Sequence, residues 1–222
     1  MNNIIICIGT VNRPTFIKCY DLVVKNYQNH KNVKKIEVIK NKSPRSEWLN
    51  EMAKISLEYD WCLQVDEDMY LYPDALDELL NFAKLEKNKD VKIANASSML
   101  HDLFLNSKIG SLKLWNTEVF KYVSFKDVLG SDRQFAKEAL KFGFKNIAIN
   151  KILADHDSAP TPEIAYKKYS EYTEKIYKFS GKDEALKFNL FLKNKYIKEK
   201  SIITKKAFEG SYNKVKGLKN AK

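Results

Sequence analysis

The stretch Trp61-Cys62-Leu63-Gln64-Val65-Asp66-Glu67-Asp68 sets a short, mostly apolar run directly against three consecutive acids. Five residues are too few for a helix. Such a run fits a strand buried on both faces, as in a parallel sheet, with the acids at its carboxyl end. Outward from it, Asn3 to Thr10, around Ile4-Ile5-Ile6-Cys7-Ile8, is a second run of this kind, and Lys35 to Lys40 alternates like a strand. Thr15 to Tyr27, about 45–59, and Pro73 to about Lys87 read as helices, and Val91 to Ala96 as a fourth strand. The β-α-β-α-β-α-β order predicts a parallel α/β sheet with right-handed crossovers. Ligands in such sheets sit beyond the carboxyl ends of the strands. Three polar clusters fall there, Thr10 to Arg13, Asn41 to Ser43 and Asp66 to Asp68, and they are expected to converge on one site.

Residues 97–130 are less regular. Ser131-Asp132-Arg133-Gln134 has the capping-box form and opens a helix that Gly143 follows. Ile147 to Leu153 is another apolar strand, leading to Asp155-His156-Asp157. Ala159-Pro160-Thr161-Pro162 then punctuates the chain. This predicts an α/β domain over 1–158 and a helical extension over 159–222. In the extension Thr161 caps a helix with Pro162 at its first position. A second helix is expected over about Asp183 to Lys198, with Phe188, Leu192 and Tyr196 on one stripe.

The charge follows the same division. The 222 residues carry a formal +11, but residues 161–222 alone hold 16 lysines, no arginine and seven acids, a net of +9. A basic extension can meet phosphate on nucleic acid or on an anionic membrane, or it can be a solvated lysine-rich face. The lack of arginine argues against nucleic acid, because bidentate recognition favours arginine. A hydrophobic fraction of 44% supports a real core and excludes wholesale disorder. No run of about 18 apolar residues predicts a membrane-spanning helix, and Met1-Asn2-Asn3 does not read as a signal peptide. Cys7, Cys19 and Cys62 read as reduced core thiols of a cytoplasmic protein.

Several residues could carry chemistry. In extended backbone Asp66 and Asp68 share a face about 7 Å apart, a spacing that can hold Mg²⁺ or Mn²⁺, though an acidic surface loop gives the same pattern. His156, between two aspartates, is a further metal ligand or a surface histidine paired with Asp155 or Asp157. Asp132 in a first helical turn complements the helix dipole or serves as a general base. Arg13 can pair with a diphosphate or stack on a base, or is a surface arginine before a proline. Trp115 can stack on a sugar ring or sit in the core.

Taken in order along residues 3–158, these motifs resemble those of GT-A-fold glycosyltransferases, most like the inverting family 2 enzymes. Thr10-Val11-Asn12-Arg13-Pro14 resembles that family's first nucleotide-contacting loop. Asn50 to Asp68, ending Leu63-Gln64-Val65-Asp66-Glu67-Asp68, resembles its helix, strand and metal-binding Asp-X-Asp, and Tyr72-Pro73 fits after it. Gly130-Ser131-Asp132 resembles the segment bearing the catalytic base, with serine in place of the usual acid before Asp132. His156 resembles a late histidine that some GT-A enzymes place on the metal. Asn41-Lys42-Ser43 departs from the consecutive aspartates the family often carries there.

The resemblance implies a GT-A sheet, mostly parallel and flanked by helices, with a short basic helical appendage. It implies an enzyme transferring a hexosyl or N-acetylhexosaminyl group from a nucleotide-diphospho sugar, with UDP the expected nucleotide. The acceptor would be a hydroxyl of a glycan or lipid-linked molecule in bacterial surface polysaccharide or glycoconjugate synthesis. Thr10, Arg13, Asn41, Asn50 and Asp66 would bind the donor. Asp66, Asp68 and His156 would hold Mn²⁺ or Mg²⁺, and Asp132 would be the catalytic base. A lipid-linked acceptor would place the protein at the inner face of the membrane, with the basic helical extension resting on anionic lipid, a contact that removing residues 200–222 would test; the extension could equally pack on the core or form a dimer. The rival readings are nucleotidyl transfer, disfavoured because Gly9 is the only glycine before Gly110, a non-catalytic binding module using the basic tail for nucleic acid or membrane, and a transferase-like protein that binds without turnover.

Overall fold

The computed structural model describes residues 3–87, 92–128 and 130–219. They divide into two compact units, Met1–Asp157 and Ser158–Lys222. In the first unit the chain runs β1 (Ile4–Thr10), α1 (Phe16–Tyr27), β2 (Val33–Lys40), α2 (Arg45–Ile55), β3 (Trp61–Asp66), β4 (Met69–Leu71) and α3 (Ala75–Lys87). It continues through β5 (Lys92–Asp102), β6 (Ser107–Asn116), a 3-10 turn at Thr117–Lys121, α4 (Ser131–Lys141) and β7 (Phe144–His156).

The strands form one sheet in the order β2-β1-β3-β6-β5-β7-β4. β1 lies parallel to β2 and β3, as the β-α-β order predicts, because each crossover carries a helix. The sheet is mixed beyond that point. β6 runs antiparallel to β3 and to β5, and β4 antiparallel to β7, whereas β5 and β7 are parallel. The segment read as irregular contains β6, whose residues alternate in burial without an apolar run to mark them. The predicted fourth strand extends to Asp102; its first residue, Val91, lies outside the described residues. Because β6 reverses direction between β3 and β5, the carboxyl ends of β1, β2, β3, β5 and β7 share one edge.

The continuous apolar character of β1 follows from its two covered faces. Ile4, Ile6 and Ile8 pack with Cys19, Val23 and Tyr27 of α1 and with Leu76 and Leu79 of α3. Ile5 and Cys7 point the other way, into Trp48, Leu49 and Met52 of α2 and the aromatic group Trp115, Phe125, Phe135 and Phe144. Trp115, considered for sugar stacking, is instead core: it is 1% exposed and makes edge contacts with Phe125 and Phe135 at centroid distances of 5.5 and 5.0 Å. Gly9 is required by the same layer, since a Cβ there would lie 2.8 Å from the Trp48 ring. The three thiols are free and buried.

The second unit is three helices, α5 (Pro162–Ser180), α6 (Lys182–Glu199) and α7 (Ile202–Lys219). Thr161 caps α5 by accepting a hydrogen bond from the Ile164 N–H, with Pro162 opening the helix. No helix among the described residues is long and apolar enough to cross a membrane. Small residues let α5 and α7 approach closely: Ala165, Thr173, Ala207 and Ser211 are buried, and Thr173 Oγ1 lies 2.9 Å from Ser211 Oγ. At Gly210 an added Cβ would lie 2.2 Å from the Tyr166 carbonyl oxygen. Gly to Ala in a helix ordinarily gains up to about 1 kcal/mol. Here overpacking reverses the sign, and Gly210→Ala should lower stability by about 1–3 kcal/mol. A thermal melt checks this; a raised melting temperature would contradict the close approach.

Candidate functional site

The edge where the parallel strands end carries the acids. β3 stops at Asp66, and Glu67-Asp68 form a tight turn before β4. The extended backbone assumed for Asp66 and Asp68 therefore does not form, and the two carboxylates face different partners. Asp66 lies 3.1 Å from Arg45 Nη2 at the start of α2 and 3.5 Å from Gln64 Nε2. Asp68 is turned the other way. β4 pairs with β7 in the register Met69 to His156, and the Asp157 N–H donates to the Asp68 carbonyl at 2.8 Å. This places His156 Nε2 3.4 Å from Asp68 Oδ2.

The other imidazole nitrogen is also engaged. His156 Nδ1 lies 2.9 Å from Asp102 Oδ2, and Asp102 is 1% exposed at the end of β5. Asp102 Oδ1 accepts from the Leu105 N–H at 2.7 Å. A carboxylate on one ring nitrogen fixes the tautomer and aims the other nitrogen, the usual support for a metal-ligating histidine. The Asp68 oxygen and His156 nitrogen thus form a donor pair suited to Mn²⁺ or Mg²⁺. Among the described residues no three acidic, histidine or cysteine side chains gather as a complete cage. Asp66, expected as a ligand, is drawn off by Arg45.

Glu67 was passed over in the sequence and holds the first loop. Its buried carboxylate accepts from the Thr10 hydroxyl, from the Val11 N–H at 3.2 Å and from the Arg13 N–H at 2.9 Å, and Arg13 Nε lies 3.4 Å away. Thr10, expected at the donor, is therefore buried and committed to Glu67. Arg13 is half-exposed, with Nη1 3.6 Å from Asp68 Oδ2. Asn41 is exposed with φ 55°; its N–H donates to the Thr10 carbonyl at 2.8 Å, and its side chain accepts from Asn12 Nδ2 at 3.3 Å. The loops after β1 and β2 are thereby joined. The Cys19 thiol reports the charge beneath this edge: burial, then Asp68 and Asp66, push it up to about 12.

Asp132 occupies the first turn of α4 and is paired with Lys113 Nζ of β6 at 2.8 Å. The predicted capping box is absent. Gly130, at φ 80°, precedes the helix without a side-chain cap, and among the described residues the Ser131 and Gln134 side chains each have a buried oxygen with no partner. Asp66 chiefly, then Asp132 and Asp68, raise the affinity of the Arg45 guanidinium for its proton, so all three carboxylates act on one cation. Arg45, Lys113 and Asp102 are site residues that sequence reasoning missed; Asp102 lay in a stretch without visible period. Asn50, expected at the donor, has its side chain committed to a backbone segment. Its amide donates to the Phe125 carbonyl at 2.9 Å and accepts from the Phe125 N–H at 2.8 Å, clamping the segment before α4.

No protein-family model matches the chain, and no curated protein matches it. Solved structures do. The mannosyltransferase PcManGT from Pyrobaculum calidifontis, in complex with GDP-Man and Mn²⁺, superposes with a TM-score of 0.58 at 10% identity, over 100% of this chain and 76% of that one. Glucosyl-3-phosphoglycerate synthase from Mycobacterium tuberculosis, in complex with Mn²⁺, UDP-glucose and phosphoglyceric acid, gives 0.52 at 11% identity, over 80% and 79%. S. aureus TarS 1-349 gives 0.49 at 14% identity, and this chain spans 65% of its length. Identities this low bear on the fold alone.

The Asn50 clamp has a measurable consequence. Asn50→Ala orphans both backbone groups of Phe125 and should cost about 2 kcal/mol of stability in a urea titration. An unchanged midpoint would remove Asn50 from this role. Strand order, the shared carboxyl edge and the two superpositions above a TM-score of 0.5 together identify the fold: the chain has the GT-A glycosyltransferase fold.

Proposed function

We propose that the protein is a glycosyltransferase that moves a sugar from a nucleotide-diphospho sugar to an acceptor hydroxyl with inversion. The observation that carries this reading is the Asp68–His156–Asp102 relay beside Arg13, at the carboxyl edge of a GT-A sheet. Two solved proteins of this fold hold Mn²⁺ with GDP-Man or UDP-glucose. In this chain Asp68 and His156 would hold Mn²⁺ or Mg²⁺. Bound there, the ion supplies charge stabilisation for the departing diphosphate.

The chain's own side chains divide the remaining work. Glu67 holds the β1–α1 loop so that Arg13 faces the diphosphate, where its guanidinium offers charge-assisted hydrogen bonds. Asn41 and Asn12 present the joined loops to the nucleotide. Asp66 anchors Arg45, a second cation at the same edge. Asp132 accepts the proton of the attacking hydroxyl, and Lys113 holds its carboxylate in place. One displacement with one base inverts the anomeric centre, through an oxocarbenium-like transition state. UDP is the expected nucleotide, and a glycan or lipid-linked saccharide of surface polysaccharide synthesis the expected acceptor. Cytoplasmic location is part of the same reading.

Thermal unfolding with UDP, GDP and CDP, each with Mn²⁺ or with chelator, tests the proposal. One nucleotide at 100 times its dissociation constant should add about 2.7 kcal/mol, only with metal. Asp68→Asn and His156→Gln should each abolish the metal-dependent part. No shift with any nucleotide would overturn the reading in favour of a non-catalytic module. Asp132→Asn should keep the shift and lower transfer, including slow donor hydrolysis, by at least about a hundredfold. Near-normal turnover in that variant would remove Asp132 as the base.

A further inference from the structure

α6 carries apolar side chains on two opposed sides, and only one of these sides is covered within the bundle. Ala185 and Leu192 are buried, whereas Leu190, Phe191 and Ile197 are 55%, 44% and 57% exposed. At the helical turn of about 100° per residue, these three lie with Lys187, Asn194 and Lys198 on the side opposite Ala185 and Leu192. The face extends onto α5. The Phe191 ring stacks with Phe188 at 6.1 Å, and Phe188 meets Tyr172 edge-on at 5.1 Å, with Tyr172 41% exposed.

The charge around this face selects its partner. α6 contains five lysines and three acids, and the whole segment 161–222 carries a net +9. A second copy of the chain would bring the same positive charge, which opposes self-association through this surface. Phe191 and Tyr172 can stack on bases, but Leu190 and Ile197 offer bases nothing and arginine is absent, which disfavours a nucleic acid. Exposed aliphatic and aromatic side chains flanked by lysines, whose stems reach along apolar surface with the ammonium in water, match an anionic bilayer interface.

We propose that the outer face of α6, continued by Tyr172, is a docking surface for an anionic lipid bilayer. This narrows the lipid contact expected of the basic extension to α6. Ala207, Gly210, Ser211 and Val215 of α7 are buried, so truncation there would break the bundle rather than probe the surface. The proposal does not depend on sugar transfer, and its test reads lipid binding alone.

The full chain should sediment with phosphatidylcholine vesicles containing about 30% phosphatidylglycerol, and much less with pure phosphatidylcholine. The variant L190S/F191S/I197S alters only exposed positions. It should keep the parent's circular dichroism and melting temperature while partitioning at least about tenfold more weakly. K187Q/K198Q should also bind more weakly, with a flatter salt dependence. Failure of the full chain to bind anionic vesicles would overturn the proposal. So would equal binding by a folded L190S/F191S/I197S variant. A concentration-dependent dimer, lost in that variant and without vesicle binding, would instead give the face to a second copy.

Discussion

The three-residue pairing of Met69–Leu71 with Ala154–His156 is the constraint on which the candidate site depends. Without it Asp68 would be one more acid in a surface turn. With it, a turn that follows β3 is tied to the far side of the sheet, and a carboxylate from residue 68 meets an imidazole from residue 156. A second, parallel ladder between β5 and β7 aligns His156 with Asp102 at the end of β5. A short ladder thus does what sequence proximity cannot. Together with the parallel β5–β7 ladder it brings three groups, separated by 34 and 54 positions, into one buried relay.

Charge organises the rest of that edge. Glu67 is an acid among acids, and an unpaired buried carboxylate would be costly. Thr10, Val11 and Arg13 satisfy it, which turns a potential liability into the device that shapes the first loop. The remaining acids are matched by Arg13, Arg45 and Lys113, one cation from each of three segments. The site is consequently preorganised around alternating charge, a setting in which a diphosphate can exchange places with carboxylates as the partner of the cations.

Much of this was legible in the sequence where the physics is local. The apolar runs of β1 and β3 announced strands covered on both faces, and the helices between them fixed their parallel pairing. The placement of Asp68 and His156 at strand ends followed from the same pattern. What escaped detection depended on distant partners. β6 shows no apolar run because its residues alternate between faces, so the antiparallel half of the sheet was hidden. Asp102 went unseen because it ends the part of β5 that continues beyond Ala96, where the strand reading stopped. Asp66 and Asp68 look equivalent in sequence, and only the turn at Glu67 separates their fates. Asn50 is polar on an amphipathic helix and gives no sign that Phe125 is its partner. Ser131 and Gln134 have the spacing of a cap, but Gly130 takes the cap position with its left-handed backbone.

The central claim is that Asp68 and His156 form the metal-binding pair of a nucleotide-sugar site. Anomalous diffraction from crystals grown with Mn²⁺ and UDP tests it most directly. The account predicts a manganese peak bonded to an Asp68 oxygen and His156 Nε2, with Nδ1 still held by Asp102 and the diphosphate facing Arg13. A peak on Asp66 instead, or bound nucleotide with no metal at Asp68, would contradict it.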